Sequence, residues 1–142
     1  MDYSYINAIQ YRQTQKLIQD VMKAINGENS AIFCYERLAR LAMDESVKKQ
    51  IMEIRDDEIR HYHNFSQIYS RLTGQKPQPQ LQEGCPSTYQ DGLRFAFLDE
   101  QKTVDFYMEI ARETNDPNIK ETFQSAAADE QNHAVWFLYF MK

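Results

Sequence analysis

Glu58-Ile-Arg-His61 and Glu130-Gln-Asn-His133 each place a carboxylate and an imidazole three residues apart. Residues at i and i+3 share one helical face, so each pair can present both groups to one metal ion. A further glutamate stands thirty residues ahead of each pair, Glu28 before Glu58 and Glu100 before Glu130. Positions 28 and 100, 58 and 130, and 61 and 133 all differ by 72. Four carboxylates bring four negative charges and two divalent ions bring four positive ones, so with neutral imidazoles the set is balanced. Carboxylate and imidazole donors suit iron or manganese, and zinc is compatible with them.

The six residues fall where a helical seam would otherwise carry Leu or Ile. Leu17, Val21, Ala24, Ala31, Tyr35, Leu38 and Ala42 surround Glu28 in steps of three and four, the pattern of helices packed at a shallow angle. Ile51, Ile54, Phe65 and Ile68 do the same for Glu58 and His61, and Leu93, Ala96, Tyr107 and Ile110 for Glu100. Ile119, Phe123, Ala126 and Phe137 frame Glu130 and His133. A buried carboxylate must be neutralised, paired or metal-bound, and no nearby seam position holds Lys or Arg. The rival readings are a solvated charged face, which the seams oppose, and a buried network of partly protonated carboxylates without metal.

Four helices position these groups: roughly Thr14–Met43, Ser46–Thr73, Thr88–Thr114, and one that starts after Asp116-Pro117, an N-cap followed by the proline favoured at the first helical position. Gly74 reads as a C-cap. Gly27 lies inside the first helix, where it costs about 1 kcal/mol relative to Ala; a close helix contact or a slight bend would account for it. The main break is the Pro- and Gly-bearing segment 74–87. Some fourteen linker residues span roughly 45 Å when extended, and a helix of about 27 residues is roughly 40 Å long. The linker can therefore cross the whole bundle. The expected fold is all-α: one domain over 1–142, a four-helix bundle with one long crossover between helices 2 and 3. The offset of 72 also pairs Tyr35 with Tyr107, Asp57 with Asp129 and Phe65 with Phe137, so 14–73 and 88–142 read as a duplicated hairpin.

The chain is long enough for a real core. Its net charge of -5 opposes nucleic acid as a partner. No apolar run is long enough to cross a bilayer, and the polar N-terminus lacks the features of a signal peptide, so a soluble, cytoplasmic protein is expected. Cys34 reads as a small core hydrophobe and Cys85 as a free thiol in a loop, with a disulfide between the two as the less favoured alternative. No Cys-x-x-Cys is present, which removes a rubredoxin-type iron site or zinc ribbon. His63 has no glutamate partner and reads as a surface or rim residue. Trp136, Phe137 and Phe140 read as core or interface. The tyrosines at 3, 5 and 11 are expected to cap the bundle or to contact another subunit.

Gly27-Glu28 with Tyr35, Asp57-Glu58-Ile-Arg-His61, Glu100 with Tyr107, and Asp129-Glu130-Gln-Asn-His133 resemble the rubrerythrin-like branch of the ferritin-like superfamily, over most of 14–142. The resemblance implies that Glu58 and Glu130 bridge two metals, that Glu28 and Glu100 are terminal ligands, and that His61 and His133 bind one metal each. It also implies that Asp57 hydrogen-bonds His133 and Asp129 hydrogen-bonds His61, orienting each ring; the alternative is two solvated helix acids. Tyr35 and Tyr107 stand two turns after Glu28 and Glu100, so their hydroxyls are placed to donate to a ligand carboxylate, unless they are core tyrosines satisfied elsewhere. Many rubrerythrins carry a further carboxylate where this chain has Thr103, with Lys102 beside it, and most carry a rubredoxin domain. Here a separate electron donor is expected.

The implied function is a di-iron oxidoreductase that reduces hydrogen peroxide or O2. A ferroxidase feeding iron storage, a di-manganese catalase and a bundle in which metal only stabilises the fold are the alternatives. A homodimer or larger homo-oligomer is expected by analogy.

Overall fold

The computed structural model describes residues 2–82 and 84–142. Four helices follow in order: α1 (Tyr3–Leu41), α2 (Glu45–Thr73), α3 (Tyr89–Glu113) and α4 (Pro117–Phe140). Side-chain caps set three of the four helix starts that the sequence pointed to. Asp44 accepts from the amides of Ser46 and Val47, Thr88 from Asp91, and Asp116 from Asn118 and Ile119. Gly74 ends α2 in the left-handed conformation, at φ 73°.

The start of α1 corrects the expected Thr14. The helix begins at Tyr3, capped by Asp2, whose carboxylate accepts from the Ser4 amide at 3.0 Å. Residues 3–13 hold no Gly or Pro to stop a helix, and no apolar seam to announce one. Tyr3, Tyr5 and Tyr11 are 74 %, 66 % and 67 % exposed, so they do not cap the bundle.

Residue pairings give the topology. Between α2 and α4, His61 meets Asp129 and His133 meets Asp57. Between α1 and α3, Tyr35 meets Glu100 and Tyr107 meets Glu28. In both cases the partner's number falls as the residue's number rises, so both pairs of helices are antiparallel. Hairpins α1–α2 and α3–α4 are antiparallel too, which leaves α2 and α3 parallel and requires the full crossover. The linker runs along α1: the Gln80 amide donates to Asn26 at 2.8 Å and the Gln82 amide to Ser30 at 2.7 Å.

Cys34 and Cys85 close a disulfide, with Cα atoms 5.6 Å apart. This corrects the expectation of two unpaired cysteines. A linker laid against α1 brings together two positions that sequence separation alone gives no reason to join.

Two apolar clusters fill the bundle. One gathers Val21, Ile25, Phe65, Ile110, Ile119 and Phe123. The other gathers Leu38, Ile51, Ile54, Leu93, Ala96 and Phe137. Phe65 stacks on Phe123 with centroids 4.3 Å apart, and Tyr35 leans on Phe137 at 5.1 Å. The candidate site is a polar layer between these clusters. His63 is exposed, Phe137 is buried, and Trp136 and Phe140 are half-buried. No helix among the described residues is long and apolar enough to cross a membrane.

Candidate metal centre

Each helix contributes to one buried layer: Glu28 from α1, Glu58 and His61 from α2, Glu100 from α3, Glu130 and His133 from α4. All six are 3 % exposed or less. Their donor atoms form two overlapping groups, Glu28, Glu58, His61 and Glu130, and Glu58, Glu100, Glu130 and His133. Within each group one ligand atom per residue lies within 4.8 Å of the others. Glu58 and Glu130 belong to both groups, the geometry of bridging carboxylates. Glu28 and Glu100 each belong to one, the geometry of terminal ligands.

The histidines are held by reciprocal bonds. His61 Nε2 lies 2.8 Å from Asp129 and His133 Nε2 lies 2.8 Å from Asp57. With Nε2–H donating outward, Nδ1 of each ring faces the carboxylate layer. Such a carboxylate fixes the tautomer and raises the basicity of a ligating imidazole. The tyrosines cross the bundle likewise, Tyr35 donating to Glu100 and Tyr107 to Glu28. Each serves the glutamate of the other hairpin.

The sequence motif includes Arg60 but assigns it no role. Its guanidinium donates to Asp57 and to Asp129, both at 2.8 Å. One cation therefore ties together the acids that orient both rings. The signal was available: Arg60 is three residues after Asp57, on the same helical face.

The electrostatics show what the layer lacks. Burial raises the Glu28 pKa to about 8, helped by the charge on Glu58. Burial also raises Glu100, with Glu58 adding to it. Glu130 is pushed well up by burial and by the charges on Glu100, Glu58 and Glu28. Burial would raise Glu58 as well, but His133 and His61 outweigh it and pull its pKa below the usual carboxylate range. Burial would lower both histidines. The carboxylates of Asp129, Glu28 and Glu58 around it instead hold His61 at about 12, and those of Glu100 and Glu58 hold His133 at about 11. Burial and the carboxylates around them raise both tyrosines, which stay protonated as donors. Without metal, cationic imidazoles and retained protons must do the neutralising.

The donor set fits two metal ions, on one observation. Glu28 Oε2, Glu58 Oε1, His61 Nδ1, Glu100 Oε2, Glu130 Oε1 and His133 Nδ1 are buried without a hydrogen-bond partner. Every one of the six residues contributes one such atom. His61 Nδ1 lies 2.9 Å from Glu130 Oε1, yet it is not aimed to bond it. Buried polar atoms are normally satisfied, and here the unsatisfied ones converge.

The rubrerythrin family profile matches residues 91–142, which carry Glu100, Glu130 and His133. The uncharacterized protein YhjR of Bacillus subtilis (strain 168) is 52 % identical over 142 residues, 99 % of this chain and 98 % of that one. A hypothetical protein from Pyrococcus furiosus has the same fold, at a TM-score of 0.76 and 20 % identity, over 88 % of this chain and 87 % of that one. A two-domain protein from Anabaena variabilis, with DJ-1/ThiJ/PfpI-like and ferritin-like domains, aligns at a TM-score of 0.74 and 17 % identity. That alignment covers 90 % of this chain and 36 % of the larger protein. The chain therefore belongs to one family with YhjR, matches the rubrerythrin profile over residues 91–142, and folds as a ferritin-like four-helix bundle with a buried cluster of glutamates and histidines at its centre.

Proposed function

We propose that the protein is a di-iron oxidoreductase of rubrerythrin type that reduces hydrogen peroxide or O2 with electrons from a separate donor. The observation that carries this reading is the set of six unsatisfied ligand atoms, two of them on carboxylates shared between the two groups. Glu58 and Glu130 would bridge, Glu28 with His61 would hold one ion, and Glu100 with His133 the other. Two ferrous ions bound there would supply the two electrons that turn one peroxide and two protons into two waters.

The rest is the work of the chain. Asp57 and Asp129 hold the imidazole tautomers, and Arg60 holds the acids. The Tyr35 and Tyr107 hydroxyls keep one oxygen of each terminal glutamate occupied and leave the other for metal. The apolar clusters above and below cover the layer on two sides, which strengthens the electrostatic contacts they shield from water.

The test is anaerobic loading with ferrous ion followed by one equivalent of peroxide or O2, with ferric formation read by absorbance. The reading requires oxidation by peroxide within mixing-limited to second timescales, lost in Glu130→Ala. Uptake of manganese in preference to iron, with peroxide dismutation, would move the assignment to a catalase. Mineral formation inside a large assembly would move it to storage. The homodimer or larger assembly belongs to the same proposal, and light scattering reads it.

A further inference from the structure

Two glycines lie inside helices, for different reasons. A Cβ on Gly92 of α3 would sit 2.7 Å from Leu38 Cδ1, so packing keeps that position small. A Cβ on Gly27 of α1 would meet nothing within 4 Å. Its backbone is not left-handed either, since the positive-φ glycines are Gly74 and Gly84. Of the two accounts the sequence offered, a close helix contact or a slight bend, the close contact is absent among the described residues. Glycine in a helix interior is unfavourable relative to alanine, and neither packing nor conformation requires it here.

What lies over Gly27 is a cavity of about 240 Å³ between α1 and α3, with Glu28, Glu58 and Glu130 at its floor. Lys23 of α1 and Lys102 of α3 stand at its rim, and Thr103 lines it from α3. On the opposite, α2–α4 face, Arg60 bridges Asp57 and Asp129 over the histidines. A cavity of about 320 Å³ on that face reaches His61 and Asp129 but is lined by none of the four buried glutamates, whereas the cavity over Gly27 is lined by three of them.

We propose that Gly27 keeps open the port through which small polar oxidants and inorganic anions reach the carboxylate layer. What the port serves rests on the metal reading above; that the port exists rests on the cavity. Lys23 and Lys102 supply positive charge at the rim, opposite Asp99 and the glutamates of the floor, and offer a passing anion a partner. Any side chain at 27 grows into the passage, and enlarging Thr103 narrows it from the other wall.

The test uses the metal-free protein loaded with Co(II), with azide as the probe. Wild type, Gly27→Ala, Gly27→Leu and Thr103→Leu are compared by Co(II) absorption, stopped-flow azide binding, thermal melting and light scattering. Gly27→Ala should raise Tm by about 3 °C, because it gains helix propensity without a clash. All four proteins should hold two cobalt ions per chain at equilibrium. Azide association should slow at least tenfold in Gly27→Leu and in Thr103→Leu. Unchanged azide rates in both variants would overturn the port, as would a change of assembly mass in Gly27→Leu, which would make Gly27 a contact between copies. Wild type that binds cobalt but not azide would remove the port alone. Wild type that binds no cobalt would remove the metal reading itself.

Discussion

The Tyr107 hydroxyl donates to the Glu28 carboxylate from the opposite hairpin, and Tyr35 does the same for Glu100. Each bond joins α1 to α3 through the centre of the bundle. Tyr107→Phe would leave a buried carboxylate oxygen without its donor, at a cost of about 1–3 kcal/mol. The variant should melt earlier than wild type and still hold two metal ions per chain. Equal melting temperatures would show that the bond contributes nothing.

Asp57 and Asp129 touch no candidate metal position, yet each fixes one imidazole. Replacing either with Asn removes the charge that holds Nε2 protonated. Metal affinity should fall about 10–100-fold in Asp57→Asn and in Asp129→Asn, as is typical for partners of ligating histidines. Competition against a chromophoric chelator measures it. An unchanged affinity would reduce both acids to helix-surface charges.

The pH dependence of the metal-free protein has a definite sign. Glu28, with its pKa raised from 4.5 to about 8, keeps a proton in the folded state that the unfolded chain releases above 4.5. His61 and His133, raised from 6.5 to about 12 and about 11, stabilise fully below 6.5 and lose that contribution as pH climbs toward those values. The native state therefore binds the extra protons, and stability must fall as pH rises. Tm of the metal-free protein should drop between pH 6.5 and 8. Metal affinity should rise over the same range, because binding displaces those protons. A metal-free Tm that climbs from pH 6.5 to 8 would contradict the charge pattern.

The disulfide closes a loop between residues 51 apart. Chain entropy assigns such a crosslink about 4 kcal/mol. Protein purified without reductant and then unfolded should show no free thiol, and Cys85→Ser should melt well below wild type. Two free thiols would mean that the linker is held by Asn26 and Ser30 alone. Disulfides persist in oxidising surroundings and are reduced by cytosolic thiols, so the same count bears on the cytoplasmic expectation.

Much of this architecture was legible because burial writes itself into spacing. The seams around Glu58 and Glu130 marked α2 and α4, and Asp116-Pro117 marked where α4 starts. The six buried residues were legible for the same reason, as charges at positions where a core wants Leu. The first eleven residues of α1 left no such trace, since a solvent-exposed helix has no seam. The Cys34–Cys85 crosslink depends on how the linker lies against α1, which no spacing encodes. The role of Arg60 depends on Asp57 and Asp129 converging on it across α2 and α4, which the spacing within one helix does not show. Gly27 showed its emptiness only once the neighbours of its missing Cβ could be counted.

The central claim is a pair of metal ions on six buried residues, and metal content per chain tests it most directly. Protein purified without chelator, or reconstituted anaerobically with ferrous ion, is measured by elemental analysis beside Glu58→Ala. Two metal ions per chain in wild type, lost in the variant, is the predicted result. A wild-type chain that takes up no metal, or a Glu58→Ala variant that keeps both ions, would contradict the account.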